Sequence, residues 1–107
     1  YWQALTPVGE DFTVFVHLLN SESALCGQGD GPPVHGDYPT SLWLPEQWIE
    51  DTHTVTIDTD APPGDYTLVV GMYRLSDGSR LEAHNENGDR QPNDAFTLRS
   101  PIMIDEP

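Results

Sequence analysis

The sequence predicts an all-β fold, an antiparallel β-sandwich of six to eight short strands, immunoglobulin-like in general architecture. Three observations predict it. Nine Gly and ten Pro are spaced so that no helix-length window survives. Between these breakers lie short runs whose apolar residues alternate with period two. The connections carry the Asp, Asn, Gly and Pro that tight antiparallel turns require.

Taken in order, the run from Phe12 to Leu19 places Phe12, Val14, Val16 and Leu18 on one face. Thr13, Phe15, His17 and Leu19 lie on the other, so the spacing predicts a central strand covered on both sides. Asn20-Ser21-Glu22-Ser23 reads as a hairpin turn. His53, Val55 and Ile57 alternate with Thr54 and Thr56, which predicts a half-buried strand with one wet face.

The run from Tyr66 to Leu75 is apolar on both faces, and Gly71 at its middle predicts a bulge or a close backbone approach. Ser76-Asp77-Gly78-Ser79 follows as the strongest hairpin turn, because Asp-Gly accommodates positive φ. Phe96, Leu98, Ile102 and Ile104 share one parity, which predicts a long strand interrupted or edged at Pro101. Pro62-Pro63-Gly64-Asp65 ahead of Tyr66 predicts a rigid corner. A Tyr there matches the tyrosine corner of immunoglobulin-like sandwiches, and a plain Pro-Gly turn beside a core Tyr is the competing reading.

Composition bounds the function. A chain of 107 residues fits one domain, residues 1–107. Eighteen acidic residues against four Arg, with no Lys, give a net charge of -14. That charge repels phosphate backbones and anionic lipid, so nucleic acid is excluded as a partner class. No apolar run approaches the ~18–20 residues of a membrane span, so direct insertion of this domain is not expected. The chain opens on the strand-like Tyr1-Trp2-Gln3-Ala4-Leu5, which suggests a piece of a longer protein. Cys26, the only cysteine, has no internal partner and reads as a buried, inert thiol.

Candidate chemistry is sparse. There is no Gly-x-Ser-x-Gly elbow and no phosphate-binding Gly-rich loop. Cys26 with His35, or Glu46 with Glu50, are the conceivable catalytic pairs, and nothing fixes either geometry. His17, His35, His53 and His84 lack zinc-type spacing. Calcium is the cation that fits best, through Asp58, Asp60 and Asp65 or through Asn85, Asn87, Asp89 and Asp94, although these residue types also simply make turns. Tyr38, Trp43 and Trp48 fall within eleven residues and form the candidate sugar platform. The alternative is that the two Trp cap a small core.

Three stretches together resemble a known family: Tyr1–Leu5 running into Asp11–Leu19, then Pro39-Thr40-Ser41-Leu42-Trp43 with Trp48, then Ala61–Tyr73. They resemble an uncharacterised β-sandwich domain near the C-terminus of bacterial multi-spanning membrane proteins, many of them glycosyltransferase-like and of the protein-mannosyltransferase type. The resemblance implies an extracytoplasmic domain attached to a membrane protein, whose membrane portion is then a partner within the same polypeptide. The opening strand of that family is absent or truncated here, and Cys26-Gly27-Gln28-Gly29-Asp30 departs from its second hairpin strand.

The expected function is therefore a non-catalytic accessory domain, not an enzyme, recognising glycan or acceptor through Tyr38, Trp43 and Trp48. No organic cofactor is expected. The competing class is a structural or protein-interaction module with no small-molecule ligand.

Overall fold

The computed structural model describes residues 1–98 and the backbone of residues 102–104. Among the described residues there are eight strands: β1 (Trp2–Gln3), β2 (Thr13–Leu19), β3 (Leu25–Gln28), β4 (Trp48–Ile49), β5 (Thr56–Ile57), β6 (Gly64–Tyr73), β7 (Ala95–Thr97) and β8 (Ile102–Ile104). All pair antiparallel. The larger sheet runs β5-β3-β2-β6-β7, and β8 pairs with the start of β6. The second sheet is only the pair β1–β4. The protein is thus an all-β sandwich, with loops completing its smaller layer.

The sheet is organised on β2 and β6, paired from Thr13↔Tyr73 to Leu19↔Thr67. Period two then sorts their side chains. Phe12, Val14, Val16 and Met72 form the main core with Ala4, Trp43 and Ile49 from the opposing layer. Leu18, Cys26 and Tyr66 form a second buried cluster. Cys26 is therefore a buried thiol, as the sequence predicts.

The long connection between β3 and β4 is held down by polar groups that have lost their water. Thr40 is fully buried; its hydroxyl accepts the Phe12 N–H at 2.9 Å and donates to the Glu10 carbonyl. Each buried polar atom there has a partner, which avoids the desolvation penalty of an orphaned group.

The corner before β6 is a tyrosine corner. The buried Tyr66 hydroxyl donates to the Pro62 carbonyl four residues upstream. Burial, and secondarily Cys26, pushes its phenol up from the ordinary 10.0. Gly71 is a close approach rather than a bulge: the β2–β6 register runs through it unbroken, with Phe15 directly opposite. At Asn20 the hairpin turn forms as expected, its Oδ1 accepting the N–H groups of Glu22 and Ala24.

Two expectations are altered. His53–Val55 is not strand; only Thr56–Ile57 pairs, against β3. The 76–79 turn forms, with Gly78 at φ 74°, but its second arm contributes only a single bridge, Tyr73↔Arg80. β2 is central and covered on both faces, as its spacing predicts, with Tyr73 and Arg80 packed against Phe15 on the outer one. β7 and β8 pair with successive stretches of β6, in keeping with one interrupted strand. The interruption at Pro101 and the side chains of Ile102 and Ile104 lie outside the described residues.

Candidate functional site

The residues proposed as a sugar platform do not form one exposed face. Trp43 is 5% exposed, packs in the main core, and donates its indole N–H to the Tyr38 carbonyl at 2.8 Å. Its ring faces are occupied by protein. Tyr38 is half-buried, and its hydroxyl bonds the Leu42 carbonyl and the Gln47 side chain. Trp48, on β4, is 67% exposed and is the one ring of the three open to a ligand. Burying a large indole in a core short of apolar mass outweighs displaying it.

The acidic candidates are likewise dispersed. Asp58, Asp60 and Asp65 are all exposed, and no group of three metal-ligating side chains converges among the described residues. In the late loop, Asn85 Oδ1 is committed to the N–H groups of Asn87 and Asp89, so it serves as a turn former. Asp94 forms a two-pronged pair with Arg90, at 2.8 and 2.9 Å. That contact holds its carboxyl well below the usual 3.8, at about 2.

What the fold does assemble is a shallow groove of about 230 Å³ on the outer face of the larger sheet. β2 supplies Phe15 and His17, the end of β6 supplies Tyr73, the turn after it Gly78 and Arg80, and the segment after β3 supplies Asp30. Phe15 is a 2%-exposed floor. The Arg80 guanidinium lies over its ring, 4.3 Å from the centroid, with Nη1 donating to the Asn93 carbonyl at 2.9 Å. Such stacking is favourable because the cation meets the negative face of the ring.

At the other end, Asp30 Oδ1 accepts the Val16 N–H at 3.0 Å and lies 3.8 Å from His17 Nε2. Both side chains remain partly exposed, at 22% and 24%. The groove therefore offers a half-buried phenol ring, a carboxylate, an imidazole and a guanidinium within one concavity. That combination suits hydroxyl-bearing rings, which need an apolar surface and polar groups at its rim. Comparison with known protein families, with curated proteins and with solved structures finds no match for this chain.

Asp30 also borders a second hollow of about 350 Å³, lined by Gly29, Gly31, Pro32, His35, His53 and Thr54. Behind it lies Asp51, whose side chain is only 1% exposed. Asp51 Oδ2 accepts from Trp2 Nε1 at 3.0 Å and contacts His53 Nε2 at 2.7 Å, while Oδ1 accepts the Val34 N–H at 2.8 Å. His53 Nδ1 stands 3.0 Å from the Gly29 carbonyl, which can only accept, so that nitrogen carries a proton. Nε2 meets the Asp51 carboxylate.

With both ring nitrogens engaged, His53 has none free to act as a base. The cluster is instead a tether joining β1, the segment after β3, the Val34 turn and the segment after β4. Val34 sits at φ 53°, which is strained for a β-branched residue, and the Asp51 hydrogen bond helps to hold it there. Cys26 and His35 are not partners, for Cys26 is in the second buried cluster and His35 borders this hollow.

Groove and tether were both hard to see in sequence. Phe15, His17 and Tyr73 are legible as one face of two strands. Only the register of Thr13 against Tyr73, and the return of the turn to Arg80, brings them beside Asp30.

Proposed function

We propose that this chain is a non-catalytic, extracytoplasmic accessory domain that binds carbohydrate in the groove formed by Phe15, His17, Asp30, Tyr73 and Arg80. The observation that carries this reading is the half-buried Tyr73 ring standing beside the partly exposed Asp30 and His17. A sugar ring can lay its C–H face on the phenol while its hydroxyls exchange hydrogen bonds with the carboxylate and the imidazole. Attachment to a membrane glycosyltransferase-like protein rests on the family resemblance of the three sequence stretches and is part of the same proposal.

Amide chemical-shift mapping during titration with a panel of oligosaccharides tests it. Saturable shifts centred on Phe15, His17 and Tyr73, lost in Tyr73→Ala, are expected. Shifts confined to the neighbourhood of Trp48, or none across the panel, would refute the assignment of the groove.

A second reading has its own observation. Leu5, Leu44 and Trp48 are each about two-thirds exposed, at 64%, 65% and 67%. Trp48 pairs with Gln3 across β1–β4, and the Ala4 carbonyl accepts the Glu46 N–H, so Leu5 lies on the chain just beyond this pairing. Exposed apolar residues around the small sheet favour a protein-docking module. In that case Trp48→Ala would abolish pull-down of the membrane portion and leave sugar titrations silent.

A further inference from the structure

In a chain with eighteen acidic residues, an arginine without a carboxylate partner is unusual, and one of the described arginines is in that state. Arg74 holds Glu10 through two hydrogen bonds and Asp77 through a third. Arg90 pairs with Asp94 and Glu82. Arg80, by contrast, makes no salt bridge among the described residues; only its Nη1 is engaged, by the neutral Asn93 carbonyl. Its Nε and Nη2 donors have no protein acceptor among those residues.

The guanidinium is nonetheless held in place, by Phe15 beneath it and by Asn93 beside it, and it lines the groove. A positioned guanidinium with an open Nε–Nη2 edge matches the two oxygens of a carboxylate. Tyr73 and the Asp30–His17 pair line the same concavity. The overall charge of -14 repels extended polyanions such as nucleic acid, but a single carboxylate at Arg80 meets a local positive charge. Exposed charges beyond ~8–10 Å are largely screened at physiological salt.

We infer that the ligand is an acidic glycan, a uronic-acid-type sugar whose carboxylate pairs with Arg80 while its ring rests on Tyr73 and its hydroxyls reach Asp30 and His17. This rests on the proposed sugar-binding role of the groove and narrows it to one class of sugar.

The test is calorimetric titration with uronic-acid oligosaccharides and with the same oligosaccharides after reduction of their carboxyl groups to alcohols, run on wild type, Arg80→Gln and Arg80→Lys. Acidic chains should bind about tenfold or more tightly than the reduced ones, the scale of one charge-assisted hydrogen-bond pair. Arg80→Gln should erase that preference, and Arg80→Lys, which keeps the charge but not the fork, should retain only part of it. Amide spectra of each variant establish that the sheet is intact.

Equal affinity for acidic and reduced chains, unchanged in Arg80→Gln, would overturn the acidic class and leave the groove as a neutral-sugar site. Binding of neither would overturn both readings. Binding of acidic peptides but not acidic sugars would overturn the carbohydrate class while keeping the role of Arg80.

Discussion

The ring of Phe15 occupies the space that a side chain on Gly71 would need. A Cβ built on Gly71 would stand 2.5 Å from Phe15 Cζ and 2.9 Å from the Asp94 carbonyl oxygen. Phe15 and Gly71 are direct cross-strand partners, so the aromatic packs over the bare backbone and forms the floor of the groove. Such a ring covers a glycine that would otherwise weaken the strand.

Gly71→Ala should therefore lower stability by about 1–3 kcal/mol, the usual cost of overpacking. Urea unfolding measures it. Because Phe15 must lift, the variant should also shift the amide resonances of His17 and Arg80; a silent substitution would mean that the ring has room to spare.

Trp43, in the long connection, and Trp48, on β4, should behave oppositely. Trp43→Ala removes a core indole and its hydrogen bond to Tyr38, and should cost about 3–5 kcal/mol. Trp48→Ala, at an exposed position, should stay within about 0.5 kcal/mol. Thermal denaturation of the pair separates a core role from a surface role directly.

Removing the Asp51 carboxylate should loosen four chain segments at once. Asp51→Ala leaves the Trp2 indole N–H, the Val34 N–H and His53 without their shared acceptor. Each donor orphaned in this way costs about 1–3 kcal/mol. The indole N–H resonance of Trp2 and the proteolytic sensitivity of the 29–36 segment should both report the change.

Stability should fall at both ends of the pH range, for separate reasons. The Tyr66 phenol, raised above 10.0 by burial, holds its proton more tightly folded than unfolded, so stability is full below the ordinary value and declines as pH climbs past it. Tyr66→Phe should be less stable at neutral pH, lacking the bond to Pro62, and should lose this alkaline decline. At the acid end, the Asp94 carboxyl is lowered from 3.8 to about 2, chiefly by Arg90. Its contribution is present above 3.8 and lost as pH falls toward about 2, a loss that Asp94→Asn should not show. Unfolding midpoints measured across both limits check the two signs.

Much of the sheet was legible before folding. The 12–19 and 66–75 runs carry their own parity, and that parity alone separates the core residues Val14, Val16 and Met72 from Phe15 and Tyr73 on the outside. The Pro62–Tyr66 corner and the Asp77-Gly78 turn were readable because a fixed φ, a tolerated positive φ and a reaching hydroxyl are properties of those residues themselves. Gly71 announced a bulge or a close approach, and only the unbroken register decided for the second.

What the sequence by itself determined is therefore the class of fold, its two central strands and its tight turns, all set by interactions a few residues apart or by the two-residue period of a strand. Only the tertiary structure decided which aromatics face water. Trp43 and Trp48 look alike in sequence, and one is core and the other surface because burial depends on which layer comes to lie against each ring. The Asp51 tether and the groove likewise join residues from segments distant in the chain, and no local pattern encodes such a meeting. It follows from register, from the path of a long connection, and from the desolvation cost that drives each buried polar group to a partner.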